Sequence, residues 1–356
     1  MREDHLGRGR DEGWPSVSVV MPTSGRRERL PAVVAPLLAE AAVSQLVVVV
    51  DGCDDGSMEW LADLAASEPR LLAVWREHPG GAQVARADGL ERATGDVVLF
   101  LDDDVLACPG LAEGHAAHHA RTRGLVVVGY MPVRLPARRL PGQFATYLYA
   151  QEYEGRCRAY DGDADEVLRT LWWGNVSLRR ADAQRVGLVA PGLEGVYHED
   201  RDFGLRCRQA GLRAVFDRSL RAEHLHQRDV EGFVRDAWSQ GMGRVLVHER
   251  HAEVTGPLVA RAFGEGLPPG LRWLVSLARW PRAARAELSV LAAALRLAGA
   301  LRLFALETAA GRVARRVAQR AGAEAAWRGE VADPAMRARP VPAKGHRFLD
   351  RVGQLR

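Results

Sequence analysis

The stretch "GDVVLFLDDDV", Gly95 to Val105, decides how the rest of the chain is read. Five apolar residues, Val97 to Leu101, run straight into three carboxylates, Asp102, Asp103 and Asp104. An unbroken apolar run of this kind fits a strand buried on both faces, as a parallel sheet requires. Three adjacent carboxylates repel one another unless water or a positive group neutralises them, and a divalent cation is the first candidate.

Outward from this stretch the same pattern recurs. "VSVVM", "LVVVV" and "LLAVW" are further short apolar runs, separated by amphipathic segments at Arg26 to Glu40, Ser57 to Ala66 and Gly81 to Ala93. The alternation predicts an α/β fold, a mainly parallel sheet flanked by helices. Ligands of such sheets bind beyond the carboxyl ends of the strands. Pro22 and Thr23 close the first run, Asp51 closes the second, and the acidic triplet closes the fourth, so all should lie along one rim.

The composition narrows the class. With 356 residues and 47% hydrophobic content the chain can bury a sizeable core. Of its 49 basic residues all but Lys344 are arginine, scattered among 45 acids. That scatter reads as the coding drift of a GC-rich, bacterial-like genome and excludes nucleic acid as an expected partner. Cys53, Cys108, Cys157 and Cys207 form no Cys-x-x-Cys pair and read as free thiols in a reducing compartment. There is no leader-like N-terminus and no run of about 18 uncharged apolar residues, so a cytoplasmic address is expected, with the inner face of a membrane as its variant.

Further along, residues 130–228 are less regular, and residues 229–326 are helical, rich in Ala, Leu and Arg. Residues 1–14 and 327–356 read as tails. From Pro281, Arg282, Arg285, Ser289 and Arg296 fall within about 60° of arc, with Leu288, Leu291 and Leu295 opposite them, at about 100° per residue. Such a helix would rest on an anionic membrane, on a second copy as a homodimer, or on the rest of the chain. Arg302 falls on its apolar side.

Five ordered blocks, "SVVMPTSGRRERL", "VVVVDGCDDGS", "GGAQVARADGLERATGDVVLFLDDDV", "GNVSLRR" and "HEDRDFGLRCRQAGL", resemble the family 2 glycosyltransferases of the GT-A fold over about Ser16 to Gln227. The resemblance implies a GT-A catalytic domain at 15–228, with a nucleotide-binding half at 15–129 and an acceptor half at 130–228. It implies a nucleotide-diphosphate sugar as donor, a UDP-sugar first among them, and Mn2+ or Mg2+ as cofactor. By similarity, Pro22, Thr23 and Asp51 contact the nucleoside, Arg86 lies on the nucleotide side, Asp102 faces the ribose or the metal, and Asp103 is counted with the nucleotide-binding residues. Asp104 is then the metal ligand, with Asp102 beside it and His224 of "AEHLH" as a further one. If that segment is extended, only one of His224 and His226 faces the cleft.

The acidic pair Glu199-Asp200 resembles the family's acceptor-side acids, with Asp200 as general base. The chemistry needs one, because a sugar hydroxyl is a poor nucleophile and an ionised carboxylate can take its proton as the new bond forms. Direct attack inverts the anomeric centre. Trp172, Trp173, Gly174 and Asn175 fall where the family meets sugar, since aromatic faces suit sugar rings and an amide suits hydroxyls. Asp202 reads chiefly as a helix-opening acid. His115, His118 and His119 read as surface residues.

The sequence departs from the family in two places. "DGCDDGS" interrupts the usual acids after the second strand, and Asp88 stands where Asn is common, which leaves the donor base and sugar open. With no Gln-x-x-Arg-Trp motif, single addition is expected rather than polymerisation. The acceptor, a small molecule, a lipid-linked glycan or a peptide, is not specified. Two rivals stand beside this reading. A GT-A scaffold that binds nucleotide or a partner without turnover would not need Asp200. A sugar-nucleotide pyrophosphorylase would need a glycine-rich loop after the first strand, where "MPTSGRRERL" has only Gly25.

Overall fold

In β1 (Val17–Thr23) and β2 (Val43–Asp51) every second side chain turns to the opposite face, and both faces are buried. Val19, Met21, Val48 and Val50 join one apolar cluster, whereas Val20, Val47 and Val49 join another. That is why these strands read as unbroken apolar runs. The structure, a computed structural model, describes residues 14–193 and 196–330. The expected tails therefore fall outside the described residues, apart from Trp14 and residues 327–330.

The other strands are β3 (Leu71–Arg76), β4 (Val97–Leu101), β5 (Val105–Ala107), β6 (Leu125–Tyr130), β7 (Asn175–Arg179) and β8 (Arg213–His224). They form one sheet in the order β3-β2-β1-β4-β7-β6-β8-β5. β1 pairs parallel with β2 and β4, β2 with β3, and β6 with β8. β7 runs antiparallel to both β4 and β6, and β5 antiparallel to β8. The sheet is thus mixed, its parallel half being the one the apolar runs announced. The helices among these strands are α1 (Leu30–Ala39), α2 (Ser57–Ala65), α3 (Ala82–Arg92), α4 (Leu111–Arg121), α5 (Phe144–Gly162), α6 (Ala164–Arg169), α7 (Arg180–Val186) and α8 (Glu199–Gln209).

After β8 the described chain is helical: α9 (Val230–Arg250), α10 (Ala252–Thr255), α11 (Pro269–Leu277), α12 (Pro281–Ala300) and α13 (Phe304–Trp327). α9, α11, α12, α13 and the start of α5 share a core that includes Phe144, Phe233, Trp238, Leu288, Leu295 and Val317. Leu288 and Leu295 are therefore interior residues, packed against the rest of the chain. Arg302 lies beyond the end of α12, at φ +57°, so it is not on the helix's apolar side.

Glycines set how closely these helices approach. A Cβ on Gly241 would lie 1.9 Å from the carbonyl oxygen of Gln319, and one on Gly322 would lie 1.9 Å from that of Trp238. α9 and α13 therefore cross backbone against backbone. Two residues on, on the opposite side of α9, a Cβ on Gly243 would lie 1.9 Å from the carbonyl oxygen of Tyr197. α9 is seated directly on the segment that leads into α8.

Candidate active site

The parallel register brings the strand ends to one rim. Thr23 pairs with Val50, next to Asp51, and Val20 pairs with Phe100 two residues before Asp102. Across β4, Leu101 pairs with Asn175, so the chain before β7 passes the acidic triplet. On the other side Val105 pairs with His224, and the Leu225 N–H donates to the Asp104 carbonyl at 2.7 Å.

Two arginines answer the question posed by the triplet. Arg26, in the loop after β1, donates to Asp104 Oδ2 at 2.5 Å and reaches Asp103 Oδ1 at 3.0 Å. Arg86, projecting from α3, donates to Asp102 Oδ1 at 2.5 Å and to Glu199 Oε1 at 3.0 Å. Thr23 completes the set, its hydroxyl donating to Asp103 Oδ2 at 2.8 Å. The sequence reading missed Arg26; its signal was a basic residue just past a strand end, after Gly25 at φ +66°.

These contacts divide the carboxyls. Burial, helped by neighbouring Asp104 and opposed by Arg26, raises Asp103 to about 6. Asp104 is buried as well, yet its bonds with His224 and Arg26 hold it well below the usual carboxylate range. Burial raises Glu199 to about 7 against the pull of Arg86, and raises Asp200 to about 6. Asp200 Oδ1 accepts from the Arg201 N–H at 2.8 Å. The turn into this pair is sharp, since His198 takes φ +73°, a left-handed conformation uncommon for a residue with a Cβ.

Asp51 lies at the same rim, but its oxygens are engaged. Oδ1 accepts from the Gly80 N–H and from Arg76 Nε, both at 2.9 Å, and Oδ2 accepts from the Gly81 N–H at 2.8 Å. It thus fixes the start of α3, and so the aim of Arg86. Arg76 also pairs with Asp88, the residue standing where Asn is common. Pro22 is buried within β1.

Several expected sugar contacts lie elsewhere. Asn175 is buried; its Oδ1 is 2.9 Å from His115 Nε2 and its Nδ2 donates to the Leu220 carbonyl at 3.0 Å. The side chain is used in holding β7 to its neighbours. His115 and His119 are buried too, each 2.8 Å from the Ser177 hydroxyl, so they are core residues and not surface ones. Only His118 is half-buried, paired with Asp217. Trp173 stacks on Phe203, with ring centroids 4.9 Å apart, and carries the Arg86 guanidinium 5.1 Å from its ring centre. It backs Arg86 instead of meeting solvent. Trp172 is half-buried against Tyr149 and Tyr153. Gly174, at φ +113°, has no room for a side chain: a Cβ would lie 2.6 Å from Met131 Sδ and 3.2 Å from Asp102 Oδ2. Asp202 is fully buried and paired with Arg206 and His251, which makes it structural.

β8 ends at His224, so strand alternation does not separate the two histidines. Tyr149 meets both, His224 edge-on at 5.0 Å and His226 stacked at 4.3 Å. Tyr149, Tyr197, His226, Arg228, Gln240 and Arg315 line a small, open cavity alongside. As for a metal, Asp104 Oδ1 and His224 Nε2 are 3.3 Å apart, a separation that two ligands of one small divalent ion can have. The donor types fit such an ion in part. Among the described residues no three His, Cys, Asp or Glu side chains form a group that could hold a metal, so further ligands would have to come from substrate and water.

Comparison with known proteins agrees with this architecture. The glycosyl transferase family 2 model matches residues 18–186. A glycosyltransferase of Bacillus subtilis, YfnE, is 25% identical over 251 residues, which cover 58% of this chain and 64% of that protein. The undecaprenyl-phosphate 4-deoxy-4-formamido-L-arabinose transferase of Aeromonas hydrophila is 33% identical over 159 residues, 40% of this chain and 48% of the relative. The chain thus spans less than two thirds of the length of these relatives. Among solved structures, a mannosyltransferase of Pyrobaculum calidifontis in complex with GDP-Man and Mn2+ superimposes with a TM-score of 0.52 at 17% identity, over 87% of this chain and 90% of that one. With its mixed sheet and its acidic motif at the end of β4, the chain has the GT-A fold, and its residues 18–186 match glycosyl transferase family 2.

Proposed function

We propose that the protein is an inverting glycosyltransferase that moves one sugar from a nucleotide-diphosphate sugar to an acceptor hydroxyl. The observation that carries this reading is the buried Arg86, bonded at once to Asp102 and Glu199. One guanidinium ties the acidic motif at the sheet to the acidic pair that opens α8. Donor and acceptor chemistry then meet at one rim.

In this reading the donor lies over Pro22, Thr23 and the loop fixed by Asp51, with its diphosphate near Asp102 and Asp104. Arg26 is placed to exchange carboxylate for phosphate oxygens, a geometry that guanidinium suits. Asp104 and His224 would hold Mn2+ or Mg2+, which when bound would offset charge on the departing diphosphate. Asp200 accepts the acceptor's proton as its oxygen bonds to the anomeric carbon and the bond to the diphosphate breaks on the opposite side. Arg86 keeps Glu199 and Asp102 in register around that step. The acceptor enters beside Tyr149 and the adjoining cavity; the Aeromonas hydrophila relative, named for undecaprenyl phosphate, makes a lipid-linked acceptor that offers a hydroxyl the first to try.

The test separates binding from chemistry. Asp200→Asn should keep the thermal stabilisation given by the preferred nucleotide from a UDP, GDP, TDP and CMP panel, tried with manganese and with chelator, while transfer is abolished. If stabilisation and transfer fall together, Asp200 is not the base. No stabilisation of the unaltered protein by any nucleotide would favour a scaffold without turnover.

A further inference from the structure

α12 is about 30 Å long, and only one side of it is buried. Ala284, Leu288, Ala292 and Leu295 face the helical core, and Ala298 is buried on the same side. The outward side carries Val290, Leu297 and Leu301, which are 69%, 62% and 60% exposed. At about 100° per residue these three lie within about 40° of one another, and Arg282 and Arg296 flank them on one edge. Trp280, 49% exposed, precedes the helix, and Leu303 and Leu306, 49% and 58% exposed, follow it. This outward side is not the Leu288 and Leu295 stripe that sequence periodicity singles out.

Charge selects the occupant. From Pro269 to Leu306 there are six arginines and one acid, Glu287, a net charge of +5. Arg272, Arg279, Arg282, Arg285 and Arg302 form no ion pair among the described residues, and only Arg296 is paired, with Glu231. A second copy would bring the same excess of positive charge against itself. Residues 331–356, with six basic residues and two acids, would repel the face as well. A surface that is apolar at its centre, fringed with arginine and bearing exposed tryptophan is complementary to anionic headgroups over hydrocarbon. Among the described residues no helix is long and apolar enough to cross a membrane, so the contact is one of lying on it.

We propose that the outward face of α12, with Trp280 before it and Leu303 and Leu306 after it, docks on an anionic lipid surface. The proposal does not depend on the transferase reading.

The test is vesicle flotation of the full chain. It should float with phosphatidylcholine vesicles that contain phosphatidylglycerol, not with phosphatidylcholine alone, and high salt should release it. Arg279→Glu with Arg282→Glu should weaken binding about tenfold or more. Leu297→Ser with Leu301→Ser should also weaken it, and both pairs should melt as the unaltered protein does. Flotation that ignores lipid charge, or no flotation at all, overturns the proposal. So does a dimer, seen by sedimentation, that the leucine pair dissolves; the face would then belong to a second copy.

Discussion

Arg86 is the residue on which the rim depends. It is 4% exposed and is countered by two carboxylates, so removing it strands Glu199 and Asp102 without a partner. Arg86→Met should cost about 3 kcal/mol of stability, since deleting one member of a buried pair leaves an uncompensated charge. Transfer should be lost as well, and a melt with an initial-rate assay reads both. A second prediction concerns pH. Asp200, raised by burial to about 6, accepts a proton only when ionised, so the transfer rate should climb as pH rises through about 6 and level off above it. A rate flat from pH 5 to 8 would remove Asp200 from that role. For stability the sign is opposite: Glu199 and Asp200 hold their protons more tightly when folded, so stability is lost as pH rises from the ordinary carboxylate range to about 7. The sequence pointed to Asp102, Asp103 and Asp104 by their place after an apolar run, and to Glu199 and Asp200 only through the family resemblance. It could not show that Arg26 would reach Asp103 and Asp104, or that the Asn175 amide would be consumed by His115 and Leu220, because those bonds join residues 45 to 78 positions apart.

Among elements, the parallel strands β1 to β4 were the most legible, because burial on both faces leaves a simple signature in the sequence. β7, antiparallel and flanked by helices, left none. The helices after β8 showed their periodicity but not which stripe is covered. That depends on how closely α9, α12 and α13 approach, and the glycines set the distance. Gly241→Ala should push α9 from α13, costing about 1–3 kcal/mol by overpacking, read as a lower melting temperature at unchanged donor specificity. An unchanged melting temperature would mean that the crossing is looser than the 1.9 Å approach implies.

For the whole molecule, the family match ends at residue 186, whereas Glu199 and Asp200 stand beyond it and α9 lies against the turn just before them. A piece ending at Gln227 would carry every carboxylate of the rim but not the helix that supports Tyr197. It should neither melt cooperatively nor transfer sugar, and calorimetry on that piece is the check; a sharp transition with retained activity would show the helices to be an independent appendage. The contact of Gly243 with the Tyr197 carbonyl has a consequence for descent. Substitutions in α9 and in the turn before α8 cannot accumulate independently, since a single methyl group at that point displaces one against the other. Recombination that exchanged the C-terminal helices between related genes would therefore transplant the setting of Glu199 and Asp200 together with whatever surface those helices carry.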